Sequence, residues 1–127
     1  MSNALRFMAV LADNPGVTAI PNHEPSFWLR GRLVDLHTRW AAGQMLGCRE
    51  VFAPTPDTLL VVALWMPEVM VCRSCAPEIL KTAAASDLTC DRCATCDRDT
   101  RSVAILEQGV VVAFGLCPGC YRREIPS

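Results

Sequence analysis

CDRCATCDRDTRSVAILEQGVVVAFGLCPGC, running from Cys90 to Cys120, is the stretch on which the fold of this chain turns. It opens with Cys90-x2-Cys93-x2-Cys96, closes with Cys117-x2-Cys120, and carries two apolar runs between them, Arg101 to Leu106 and Val110 to Leu116. Gln108-Gly109 separates the runs, and a glycine in so short a loop suits the backbone twist of a tight hairpin. Asp97 to Thr100 reads as a polar turn leading into it. Two strands of about seven residues, at a rise of ~3.3 Å per residue, bring the chain back to where it left, so the second cysteine pair arrives beside the first. Cysteines with two residues between them can turn inward on one small loop, and two such loops supply four thiolates to a tetrahedral ion.

Working outward, Cys72-x2-Cys75 precedes this stretch and Cys48 stands alone upstream, so that seven of eight cysteines fall in the last 56 residues. Knuckle, β-hairpin, knuckle is an order that resembles the zinc-ribbon group of zinc-binding domains over residues 90 to 123. The resemblance implies a fold element and bound Zn2+, and no particular activity. Cys90 departs from the ribbon pattern, because Cys90/Cys93 competes with Cys93/Cys96 as the first knuckle. If Cys93, Cys96, Cys117 and Cys120 form the ribbon site, then Cys72, Cys75 and Cys90 remain and Cys48 completes a second set of four. If Cys72, Cys75, Cys90 and Cys93 form one site, then Cys96, Cys117 and Cys120 need a fourth ligand from Cys48, His37, His23 or an aspartate. Both partitions stay open, and both give two zinc ions. Cys48 reads equally well as a small buried apolar side chain. Zinc is preferred to an iron–sulfur cluster because a tight knuckle-hairpin-knuckle frame suits a single ion.

The 127 residues and 51% apolar content are those of a folded core rather than a disordered tail. No apolar run reaches the ~18 residues of a membrane span. The short run Phe7 to Ala12 is closed by Asp13 without a convincing leader-cleavage site. A cytoplasmic protein is expected, in which closely spaced cysteines act as ligands or redox centres rather than as disulfides. Net charge is −1; residues 1 to 69 carry five Lys/Arg and six Asp/Glu, and residues 70 to 127 carry seven of each. Neither part has the basic excess on which phosphate binding depends, so a nucleic-acid surface would need a local patch such as Arg122 and Arg123.

The expected fold is α+β, with N-terminal helices and a core strand (residues 1–69) packed on a cysteine-rich zinc-ribbon-like hairpin module (residues 70–127). Leu5, Met8 and Leu11 have helical spacing, and Asn14-Pro15-Gly16 ends that element. Val17 to Ile20 reads as a short strand. Ser26 is placed to cap a helix from Phe27 to about Leu46, with Phe27, Leu33, Leu36 and Trp40 near one stripe and Arg30, Arg32, Asp35 and Arg39 outside it. Gly43 and Gly47 mark its end. Thr58 to Met66 is an almost unbroken aliphatic run and reads as a strand covered on both faces. A turn at Pro67-Glu68 then leads to a strand at Val69 to Val71, and Pro77 opens a helix to about Ala85.

These features point to a non-enzymatic zinc-binding adaptor or regulatory protein docking on a larger protein or ribonucleoprotein assembly, of the transcription or translation machinery. No serine nucleophile motif, phosphate-cradling glycine loop or paired metal-binding carboxylates stand out, and enzymatic function is not expected. A thiol-based redox or metal-responsive regulator is the alternative. Cys72-Arg-Ser-Cys75, between an apolar strand and a helix starting at Pro77, has the local look of a thioredoxin-type redox site. Direct nucleic-acid binding is the third reading.

Overall fold

The computed structural model describes residues 17–20, 23–44, 46–47, 59–72, 75, 89–107 and 110–125. Within them lie β1 (Val17–Ile20), α1 (Phe27–Ala41), β2 (Leu46–Gly47), β3 (Leu60–Ala63), β4 (Met66–Cys72), β5 (Arg101–Glu107), β6 (Val110–Leu116) and α2 (Pro118–Glu124). The strands form one six-stranded mixed sheet in the order β1-β5-β6-β3-β4-β2. The fold is α+β, and the hairpin read from the sequence is its centre. Pairing of β5 with β6 is antiparallel throughout, from Arg101↔Leu116 to Glu107↔Val110. β3 lies parallel to β6, with Val61 beside Val111 and Val62 beside Val112. β4 crosses residue 70, so residues on both sides of the expected domain boundary contribute to one sheet.

Alternation along β6 explains its unbroken apolar sequence. Val110, Val112, Phe114 and Leu116 face the layer that contains Leu29, Leu33 and Leu36 of α1, whereas Val111 and Ala113 face a second cluster with Leu59, Val61, Val71 and Ala104. Successive side chains of a strand point to opposite faces, so a strand covered on both faces must be apolar at every position. All seven residues of β6 are buried.

α1 begins where the sequence indicates. Ser26 is its N-cap and its side chain accepts from the Leu29 N–H at 3.3 Å. The helix stops at Ala41 rather than continuing to Leu46, because Gly43 takes the left-handed conformation (φ 70°) two residues beyond it. Its buried stripe is Leu29, Leu33 and Leu36; Phe27 points to solvent and is 95% exposed. The apolar run expected as one strand breaks after Ala63. A turn at Leu64-Trp65 closes a hairpin there, and Pro67-Glu68, read as a turn, lies inside β4. The β3–β4 register shifts between Val62 and Ala63, so Pro67 enters where the ladder is already irregular and its missing N–H is tolerated. The expected helices at 3–13 and 77–85 lie outside the described residues. Among the described residues, no helix is long and apolar enough to cross a membrane.

Candidate metal centre

Cys90, Cys93, Cys117 and Cys120 converge, with all four Sγ atoms within 4.8 Å of one another. Cys93 Sγ and Cys117 Sγ are 3.7 Å apart. A tetrahedron with metal–sulfur bonds of about 2.3 Å has edges of about 3.8 Å, so this set fits a single thiolate-bound ion. The first knuckle is therefore Cys90/Cys93, the competitor to the ribbon-like Cys93/Cys96. Cys96 is exposed and sits instead opposite Thr89 in an isolated antiparallel bridge at the base of the loop.

Local backbone contacts show why the loop turns this way. Ala94 takes a left-handed φ of 64°, its N–H donates to the Cys90 carbonyl at 2.9 Å, and the Cys90 N–H donates to the Thr95 carbonyl at 2.9 Å. The chain folds back within one knuckle and leaves Cys96 on its outgoing arm. Asp91 then fastens the knuckle to β6. Its N–H donates to the Gly115 carbonyl at 2.8 Å, and its carboxylate accepts from the Gly115 N–H at 2.6 Å. Gly115 stands two residues before Cys117, so this reciprocal pair places the two knuckles at a fixed separation. A Cβ at 115 would meet Thr100 at 3.4 Å and the Thr89 carbonyl at 3.5 Å, ordinary van der Waals contact, so the Asp91 bonds rather than a steric need for glycine set this approach.

The second knuckle opens α2. Cys117 is its N-cap, Pro118 is its first residue, and Cys120 is buried in the same first turn. Cys90 and Cys120 belong to the core layer under α1, whereas Cys93 is exposed, so the centre sits at the rim of the core with one side toward water. The thiols differ accordingly. The Thr95 hydroxyl, 3.2 Å from Cys93 Sγ, and then the Thr95 backbone bring the Cys93 thiol down to about 6; burial, chiefly, and neighbouring thiols push Cys120 up to about 12. A cation among the four would favour ionisation of all of them, as metal–thiolate bonding requires.

α1 also touches the knuckle. Arg32, placed outside the stripe by sequence, donates to the carbonyls of Leu64 at 2.9 Å and Asp91 at 3.4 Å. Trp28 meets Phe114 edge to face at 6.1 Å, with the Arg92 guanidinium 5.8 Å from its ring centre.

Of the other residues considered as ligands, Cys72 is buried in β4, and Cys75 is half-buried with its N–H donating to the Cys72 carbonyl at 3.1 Å. Among the described residues, Cys72, Cys75 and Cys96 do not form a group of three or more possible ligands, and none of them joins the set of four. Cys48 lies outside the described residues. His37 stacks edge to face on Trp40 at 4.7 Å. His23 pairs with Glu124 at 2.6 Å, away from the sulfurs. Arg122 and Arg123 are exposed on α2. Sequence reasoning missed α2 and with it the buried Glu124; the signal was Pro118 directly after Cys117, a favoured helix start. No family model, curated protein or solved structure matches this chain.

Proposed function

We propose that this is a zinc protein that works by docking rather than by catalysis, with one Zn2+ held by Cys90, Cys93, Cys117 and Cys120. The closed set of four sulfurs within 4.8 Å carries the reading. Four thiolates fill zinc's tetrahedron, whereas a catalytic zinc keeps a position open for water or substrate. The short sulfur–sulfur separations favour one ion over an iron–sulfur cluster. A second Zn2+ would draw on Cys72, Cys75 and Cys48, and the Cys75-to-Cys72 turn is compatible with a knuckle.

The partner in this reading is a protein or ribonucleoprotein assembly of the transcription or translation machinery. Surface chemistry supports a protein partner, and the assembly itself follows only from the likeness of the hairpin to zinc ribbons. Phe27 and Val34, two turns apart on α1, are 95% and 64% exposed, and Leu46 is 67% exposed, giving apolar area that a partner would cover. The thiol-switch alternative is less favoured because Cys72 is only 8% exposed, which restricts access of an oxidant. Elemental analysis of purified protein should find zinc. Affinity capture with mass spectrometry should recover a component of such an assembly that is lost in Phe27→Asp/Val34→Asp with zinc content unchanged. Metal-free folded protein, or iron with inorganic sulfide, contradicts the zinc reading; capture indifferent to the double substitution contradicts this surface.

A further inference from the structure

Glu124 is the buried charged residue of the described core, 2% exposed on the last turn of α2. Its carboxylate gathers three donors from the segment that starts α1. His23 Nε2 lies 2.6 Å from Oε2, the Ser26 N–H donates to Oε2 at 3.1 Å, and the Ser26 hydroxyl donates to Oε1. Ser26 is also the N-cap of α1. Its Oγ accepts from Leu29 N–H while its own proton goes to Glu124, so the carboxylate fixes the direction in which the cap presents its lone pair. One end of α2 thus supplies two metal-site sulfurs and the other end anchors the start of α1.

Between these two ends, α2 is held to the sheet by the Arg101 guanidinium of β5, 4.9 Å from the Tyr121 ring centre. It has seven residues, and Cys117 makes no side-chain capping bond. An isolated helix of that length is unstable in water. Its buried side chains are Cys120 and Glu124, with Tyr121 and Ile125 packed partly against the core. Cys120 and Glu124 are four residues apart, about one helical turn, so they lie on the same face. A metal ion bridging Cys117 and Cys120 to Cys90 and Cys93 would pin the first turn of α2, and the rigid turn would then present Glu124 to Ser26 and His23.

We infer that Glu124 is a positioning residue that couples metal occupancy to the docking of α1: zinc at the four cysteines orders α2, α2 seats the carboxylate, and the carboxylate locks the α1 start. The inference rests on the zinc reading and deepens it, since it makes α1, which carries exposed Phe27 and Val34, the element through which metal binding is transmitted. Coupling of this kind is reciprocal, so weakening the contact must weaken metal binding as well.

Hydrogen–deuterium exchange of the full-length chain, with and without zinc, tests it. Zinc removal is expected to accelerate exchange at residues 23–33 while β5 and β6 stay protected. In Glu124→Gln an amide N–H replaces one acceptor oxygen and meets a donor. That variant should still bind zinc but about 10- to 100-fold more weakly, and α1 exchange should become insensitive to zinc. If Glu124→Gln fails to fold, Ser26→Ala, which keeps the carboxylate and removes one donor, should show the same weakening to a smaller degree. Wild-type protein that binds zinc yet exchanges α1 equally in both states overturns the coupling and leaves the metal site standing. Exchange of β5 and β6 in step with α1 also overturns it, because zinc would then hold the whole fold. Wild-type protein that binds no zinc sinks the metal site and the coupling together.

Discussion

Asp91 lies inside the first knuckle yet serves the strand beside it, taking the Gly115 N–H and giving its own N–H to the Gly115 carbonyl. Asp91→Ala leaves that part-buried Gly115 N–H without its acceptor. The expected cost is about 1–3 kcal/mol of stability, with zinc affinity falling about 10- to 100-fold, read by thermal denaturation and chelator competition. Thr95 acts on the exposed sulfur. In metal-free protein its hydroxyl and backbone bring Cys93 from 9.0 to about 6, so Cys93 stabilises the fold above 9.0 and loses that contribution as the pH falls through about 6. Cys120 has the opposite sign: burial keeps it neutral, and its contribution is lost as the pH rises from 9.0 toward about 12. Alkylation of zinc-stripped protein followed by mass spectrometry should label Cys93 first with a midpoint near 6, and Thr95→Val should move that midpoint upward. Equal labelling of Cys93 and Cys120 at neutral pH would contradict this ordering.

α1 joins the sheet through Leu29, Leu33 and Leu36, and these side chains, rather than its exposed apolar residues, set its stability. Leu36→Ala should cost about 2–5 kcal/mol in denaturant unfolding, whereas Phe27→Ala should change stability by no more than about 0.5 kcal/mol. The hairpin and the start of α1 were legible because their determinants are local: Gln108-Gly109 between apolar runs, and Ser26 ahead of Phe27. The break at Leu64-Trp65 was not legible. It carries no glycine, proline or small polar residue, and it is imposed by pairing of β3 with β4 and β6, which are distant in sequence. The site was half legible for the same reason. Spacing proposes three cysteines for the first knuckle, and the selection of Cys90 and Cys93 rests on the left-handed Ala94 and on Asp91 reaching β6 across 24 residues. Glu124 was missed because its partners, His23 and Ser26, lie about a hundred residues away.

At the scale of the molecule, the central sheet has an apolar layer on each face, and the four cysteines lie at the rim of the layer under α1. The fold's interior does not depend on the metal in the way a small ribbon with no other core does. Chelation should therefore loosen the knuckles and α2 while circular dichroism retains most of the strand signal; complete cooperative unfolding on metal removal would contradict that division. The claim on which the rest stands is the identity of the four ligands. Zinc per chain, measured by elemental analysis in wild type, Cys90→Ser and Cys96→Ser, addresses it most directly. The geometry predicts one zinc fewer in Cys90→Ser and the wild-type content in Cys96→Ser; full zinc in Cys90→Ser with loss in Cys96→Ser would show that the site is built from the other knuckle.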